Sequence, residues 1–163
     1  MLFRSYRATT LSDLFILMTC YNDPAFKTSF LDQPERDFLV RAAEVTGDDI
    51  VLNAPHDGSA FAYALDGMNT MARSFHVYDD PDAYLLAQEI DRIAFEPEVA
   101  HAADALDVEY VVQLDAPGYE ENTVYQADFV DEDWKGIFAI NESTPGFELV
   151  LSEGDMRLYR ILR

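Results

Sequence analysis

The segment Asp49-Ile50-Val51-Leu52-Asn53 constrains the fold of this chain more than any other, because it packs consecutive apolar β-formers between polar ends and runs at once into Ala54-Pro55-His56-Asp57-Gly58-Ser59. A run that short and that uniformly apolar has no face to give to water, so it reads as a strand buried on both sides within a parallel sheet. The turn residues after it stop the strand and open a helix over Ala60 to Leu65, which Gly67 closes. Met68 to Phe75 reads as a second strand, so the unit is β-turn-α-β with a right-handed crossover. Val108 to Leu114 repeats the buried-strand signature through Tyr110, Val111, Val112 and Leu114 and predicts a third parallel strand.

The rest of the chain fits around that unit. Leu11, Leu14, Phe15, Met18 and Tyr21 recur at helical spacing after the cap residue Ser12, until Asn22-Asp23-Pro24 ends the pattern. A second helix starts at Asp32 with Pro34 in its first turn, and Phe38, Leu39, Ala42, Ala43 and Val45 form its apolar face up to Gly47. Two more helices follow Asp79-Asp80-Pro81, one marked by Tyr84, Leu85, Ala87, Ile90 and Ile93 and one from Pro97 to Leu106 marked by Val99, Ala102 and Ala103. Ala116 to Gly136 is acidic and without periodicity, with Tyr119, Tyr125, Phe129 and Trp134 scattered through it, and reads as a long binding loop. Phe147 to Leu151 and Met156 to Ile161 alternate on either side of Ser152-Glu153-Gly154-Asp155, the pattern of an antiparallel hairpin. The expectation is one soluble α/β domain over residues 1–163, with a helical lead-in over 1–33 and an α/β body over 34–163. Its sheet is mixed: Rossmann-like parallel strands flanked by helices in two or three layers, extended by the C-terminal hairpin.

Charge narrows the function. Acidic residues number 31 against 11 basic ones, a formal net charge of -20, and no Lys/Arg cluster interrupts the field. Phosphate backbones and anionic membranes are repelled by such a surface, so no nucleic-acid partner is expected. The lone Cys20 lies beside the apolar run Leu14 to Met18 and reads as a small buried hydrophobe, and one cysteine permits no disulfide framework. Met1 to Arg7 lead into a run broken by Ser12 and Asp13, which is not the apolar core of a signal peptide. The apolar run itself is far below the ~20 residues of a membrane span.

Chemistry concentrates in the turn after the first strand, where open α/β sheets hold ligands. Asn53, His56, Asp57, Gly58 and Ser59, with Arg73 further on, form the candidate ligand-binding set, and the backbone N–H groups of Gly58 and Ser59 suit an anion. One glycine and no lysine make this neither a dinucleotide fingerprint nor a P-loop. The structural alternative is that Asp57 or Ser59 caps a helix while Asn53 and Asp57 satisfy backbone groups of the turn. A hydrolase using Ser59 with His56 or His76 is the enzymatic alternative, although Asp57 stands where a nucleophile elbow has glycine. His56, His76 and His101 are too scattered to predict a metal site. The acidic pairs Asp48-Asp49, Asp79-Asp80 and Glu120-Glu121, and the triplet Asp131-Glu132-Asp133, lack the spacing of a calcium loop. No catalytic residue, metal or cofactor is therefore assigned.

The succession from Ile50 to Tyr63, with Leu65-Asp66-Gly67 and Arg73, resembles the C-terminal soluble region of large actinobacterial-type multi-pass membrane proteins of unknown function. Ala105-Leu106-Asp107 before Val108-Glu109-Tyr110-Val111-Val112, and the closing Phe147, Leu149-Val150 and Leu158-Tyr159-Arg160-Ile161, extend the resemblance over about Glu35 to Arg163. Those proteins look like relatives of the GT-C class of glycosyltransferases, in which a membrane helix bundle precedes an extracytoplasmic α/β domain. The resemblance implies a non-catalytic domain on the extracytoplasmic face of the cell membrane. Its partner would be the membrane-embedded part of the same parent protein, and sugar or lipid-linked sugar would be the ligand class. The catalytic aspartates of that class lie between membrane helices, so none carries over to this chain. A small-molecule or sugar-binding module is the alternative.

The charge generates a direct prediction. Self-repulsion opposes the compact state, and screening it stabilises the fold. The melting temperature should rise as salt increases from about 0.01 M to about 0.1 M, where the Debye length shrinks from ~30 Å to ~10 Å. A fall over that interval would mean that local ion pairs outweigh the repulsion. A rise produced by calcium alone would instead point to a specific acidic site.

Overall fold

The computed structural model describes residues 31–74, 80–114 and 131–162. The expected N-terminal helix, Cys20, His76 and most of the acidic stretch from Ala116 lie outside the described residues.

Helix α1, Gln33–Thr46, forms where its caps demand. The Asp32 side chain accepts from the Glu35 amide at 2.9 Å while the Glu35 carboxylate accepts from the Asp32 amide at 2.6 Å, a complete capping box. Gly47 ends the helix at φ 56°. Its inward stripe is Glu35, Phe38, Leu39, Ala42 and Thr46, and Val45, expected on that face, is instead 40% exposed. A helix of 3.6 residues per turn puts Thr46, not Val45, in line with Ala42.

Strand β1, Ile50–Asn53, pairs in parallel with β2, Val108–Gln113, and Leu52 lies beside Val111. Strands β3, Phe147–Glu153, and β4, Met156–Ile161, form the expected hairpin, and β4 pairs antiparallel with β2, so the sheet runs β1-β2-β4-β3. The predicted mixed α/β sheet is thus present, with one correction. Met68 to Phe75 is not a full strand, and its described part meets β1 through a single parallel bridge, Val51 with Thr70. The main chain of Val51 bonds to Asn69 and Met71 at 3.0 and 2.9 Å. Two residues on, the Asn53 carboxamide takes over, accepting from the Ala72 amide at 2.8 Å and donating to the Ala72 carbonyl at 3.0 Å. A side chain that carries both a donor and an acceptor replaces a ladder rung, and the ladder stops there.

Between β1 and β2 the chain makes helices α2, Ala62–Asp66, α3, Pro81–Glu89, and α4, Pro97–Ala105. The helix expected from Ala60 instead opens as two 3₁₀ turns, Pro55–Asp57 and Ser59–Phe61, before α2. Asp80 caps α3 by accepting from the amides of Asp82 and Ala83. The acidic stretch read as irregular ends in ordered structure: a 3₁₀ turn, Asp131–Trp134, leads into helix α5, Lys135–Ala139, and Trp134 is only 4% exposed.

Two apolar layers cover the sheet. Phe38, Leu39 and Ala42 of α1 and Ala62 of α2 pack with Val51, Val112 and Leu158 on one face. On the other, Leu86, Val99, Ala102 and Ile137 from α3, α4 and α5 pack with Leu52, Val111 and Tyr159. The architecture is three-layered, and β1 and β2 give residues to both layers, which is why they read as mainly apolar runs, broken in β2 by Glu109.

Helices α3 and α5 meet at Gly136. A Cβ there would stand 2.5 Å from the Gln88 carbonyl carbon and 2.6 Å from the Glu89 nitrogen, both main-chain atoms that cannot yield locally. Gly136→Ala should lower stability by about 3 kcal/mol, the upper range for forced overpacking. Urea denaturation would check this, and a loss under about 0.5 kcal/mol, no more than an ordinary surface substitution, would mean that the helices separate freely.

Candidate functional site

The turn after β1 is built by its own polar side chains. Ala54 is extended, the 3₁₀ turn Pro55–Asp57 follows, and Gly58 joins it to the next 3₁₀ turn at φ 97°, a left-handed conformation that favours glycine. Asp57 Oδ1 accepts from the Ser59 amide at 2.8 Å, and its Oδ2 accepts from the Leu114 amide at 3.1 Å, just past the end of β2. The Ser59 hydroxyl donates to the Ala54 carbonyl at 3.1 Å and accepts from the Asn53 Nδ2 at 3.0 Å. Asn53 also bonds both main-chain groups of Ala72. Asn53 and Ser59 are 0% exposed and Asp57 is 2% exposed.

Burial pushes the Asp57 carboxyl up to about 6, opposed by the hydrogen bonds it receives from Ser59 and from the Leu114 amide. Asn53, Asp57, Gly58 and Ser59 are therefore drawn into one interior network whose polar atoms face each other and the backbone. The His56 backbone belongs to the same turn, but its side chain lies outside the described residues. Arg73 is not part of the network. It is exposed, donates to the Thr70 carbonyl at 3.1 Å and to Asn69 Oδ1 at 2.8 Å, and stacks its guanidinium 3.8 Å over the Tyr63 ring.

Chemically, this arrangement holds backbone together. A serine hydroxyl with no exposure, committed to the Ala54 carbonyl, is not placed to attack a substrate. His101 is exposed on α4, and among the described residues no group of three or more His, Cys, Asp or Glu side chains is placed to hold a metal ion. Asp48 and Asp49 are exposed, whereas Asp133 accepts from the Tyr84 hydroxyl at 3.1 Å. Asp79 and the Glu120-Glu121 pair lie outside the described residues.

Sequence reasoning missed Gln113. It is 8% exposed at the end of β2, and its Nε2 donates to the carbonyls of Ile137 and Ile140 at 2.6 and 3.0 Å, satisfying the end of α5. The available signal was a lone carboxamide closing an apolar strand, the same signal that Asn53 carries at the end of β1. The hydroxyls of Thr46 and Thr70 are buried and meet no partner among the described residues.

Residues 6–163 match a family model described as a family of unknown function, DUF6541. No curated protein and no solved structure matches the chain. Among the described residues, no helix is long and apolar enough to cross a membrane.

The network makes a graded prediction. Asn53→Ala strands both main-chain groups of Ala72 and one lone pair of Ser59, and should lower stability by about 3 kcal/mol, whereas Ser59→Ala should cost about 1 kcal/mol. Chemical denaturation of the two variants would check the order, and equal or negligible losses would show that the network does not hold the turn.

Proposed function

From the premise that the chain belongs to the DUF6541 family of unknown function, we propose that it is a non-catalytic accessory domain on the extracytoplasmic face of a polytopic membrane protein. That parent would be a GT-C-like transferase of lipid-linked sugar. The observation that carries the non-catalytic half is the closure of the turn after β1. The polar side chains at the usual ligand end of the sheet are consumed by internal hydrogen bonds. The membrane-parent half rests on the resemblance of Glu35 to Arg163 to the soluble tails of such proteins. The acidity is compatible with it, because a net charge of -20 disfavours adsorption to anionic lipid and leaves attachment to a covalently linked helix bundle.

An antibody raised against the domain tests the proposal on native cells. The reading expects a band much larger than 18.5 kDa that sediments with membranes, resists carbonate extraction and is cleaved by protease added outside intact spheroplasts. A soluble cytoplasmic product of 18.5 kDa would overturn it. Labelling of Ser59 by a serine-reactive fluorophosphonate, lost in Ser59→Ala, would overturn the non-catalytic half.

A further inference from the structure

Asp57 joins parts of the chain that are remote in sequence. One carboxyl oxygen holds the Ser59 amide within the turn and the other holds the Leu114 amide, 57 residues on, where the chain leaves β2. The side chain is 2% exposed, and none of the ion pairs among the described residues includes it. Among the described residues, those that act on the carboxyl are Ser59 and Leu114, through hydrogen bonds. The titratable neighbours in sequence, His56 in the same turn and Asp115 after Leu114, have side chains outside the described residues. A buried carboxylate that meets N–H donors and no cation is held in place by geometry while its charge is held out of water.

We propose that Asp57 is a pH-sensitive latch between the turn after β1 and the end of β2, closed more firmly with the proton on and opening more readily with the proton off. Opening carries the carboxyl into water, where its charge is solvated, so ionisation and opening favour one another. The closed carboxyl keeps its proton up to about pH 6, whereas a solvated one loses it near the ordinary 3.8. The closed form therefore binds more protons between those values, and raising pH across the window weakens the latch. The opening equilibrium should grow by roughly 100-fold in total and level off above the upper value. The device is independent of the accessory-domain reading, since it needs only the turn and the strand end.

Amide hydrogen exchange on the full chain, followed by NMR from pH 3.5 to 7.5 and corrected for intrinsic rates, tests the latch directly. Protection of the Ser59 and Leu114 amides should fall by roughly 100-fold and should not respond to low urea, the mark of a local opening. Exchange at Val111 and Leu158, in the middle of the sheet, should accelerate in low urea. In the same unmodified protein the Asp57 carboxyl carbon should titrate well above the ordinary carboxylate range. Asp57→Asn should flatten the pH dependence at Leu114, while His56→Asn and Asp115→Asn should leave it in place. Titration of Asp57 at the ordinary value would overturn the proposal without any variant. So would urea sensitivity of Leu114 matching that of Val111, or a pH dependence lost in His56→Asn or Asp115→Asn.

Discussion

A carboxylate taken wholly out of water must find donors, and the way Asp57 finds them organises one end of this molecule. Its oxygens reach the next turn and the residue just past the neighbouring strand, so the turn after β1 is tied to the end of β2. Asn53 does the corresponding work on the other side, where its carboxamide grips Ala72 and substitutes for a strand that the chain does not complete. Ser59 links the two by accepting from Asn53 and donating to Ala54. Three polar side chains thus replace several backbone rungs, and each is buried because the groups it serves are buried.

The rest of the fold follows from having apolar layers on both sides of a small sheet. Covering two faces takes α1 and α2 on one side and α3, α4 and α5 on the other, which brings helices close to one another as well as to the strands. Gly136 is where that closeness becomes a steric requirement, and Gln113 is where the end of a short helix borrows donors from a strand. Gln113 is followed directly by Leu114, so the C-terminal end of β2 is secured twice, by its own carboxamide to the end of α5 and by Asp57 to the Leu114 amide.

The charge is managed at the surface and not in the interior. Arg41 with Glu153, Arg92 with Glu89 and Glu96, and Arg160 with Glu148 are solvent-exposed pairs, worth little individually and weakened by salt. The chain's 31 acidic residues outnumber its 11 basic ones, so such pairs cannot neutralise the whole acidic surface. The interior carboxylate belongs to another regime, in which burial and not net charge governs its proton.

The sequence by itself determined the parts of the fold that local rules decide. The β1 and β2 runs, the Asp32 to Gly47 helix with its proline and cap, and the closing hairpin each carry a complete short-range signature of apolar pattern plus capping or turn chemistry. It also marked Asn53, Asp57 and Ser59 as polar groups in an unusual place, and it left open whether they face a ligand or the backbone. Only the tertiary structure decided that they face the backbone, because the partners are Ala72 and Leu114, 19 and 57 residues away, and no local pattern announces a remote amide. Arg73 leaves the group it was expected to join because Asn69, Thr70 and the Tyr63 ring hold its guanidinium at the surface, and 131–139 escaped notice for a reason of length. A five-residue helix is too short to show a period, and it exists because Trp134 and Ile137 have a core to enter.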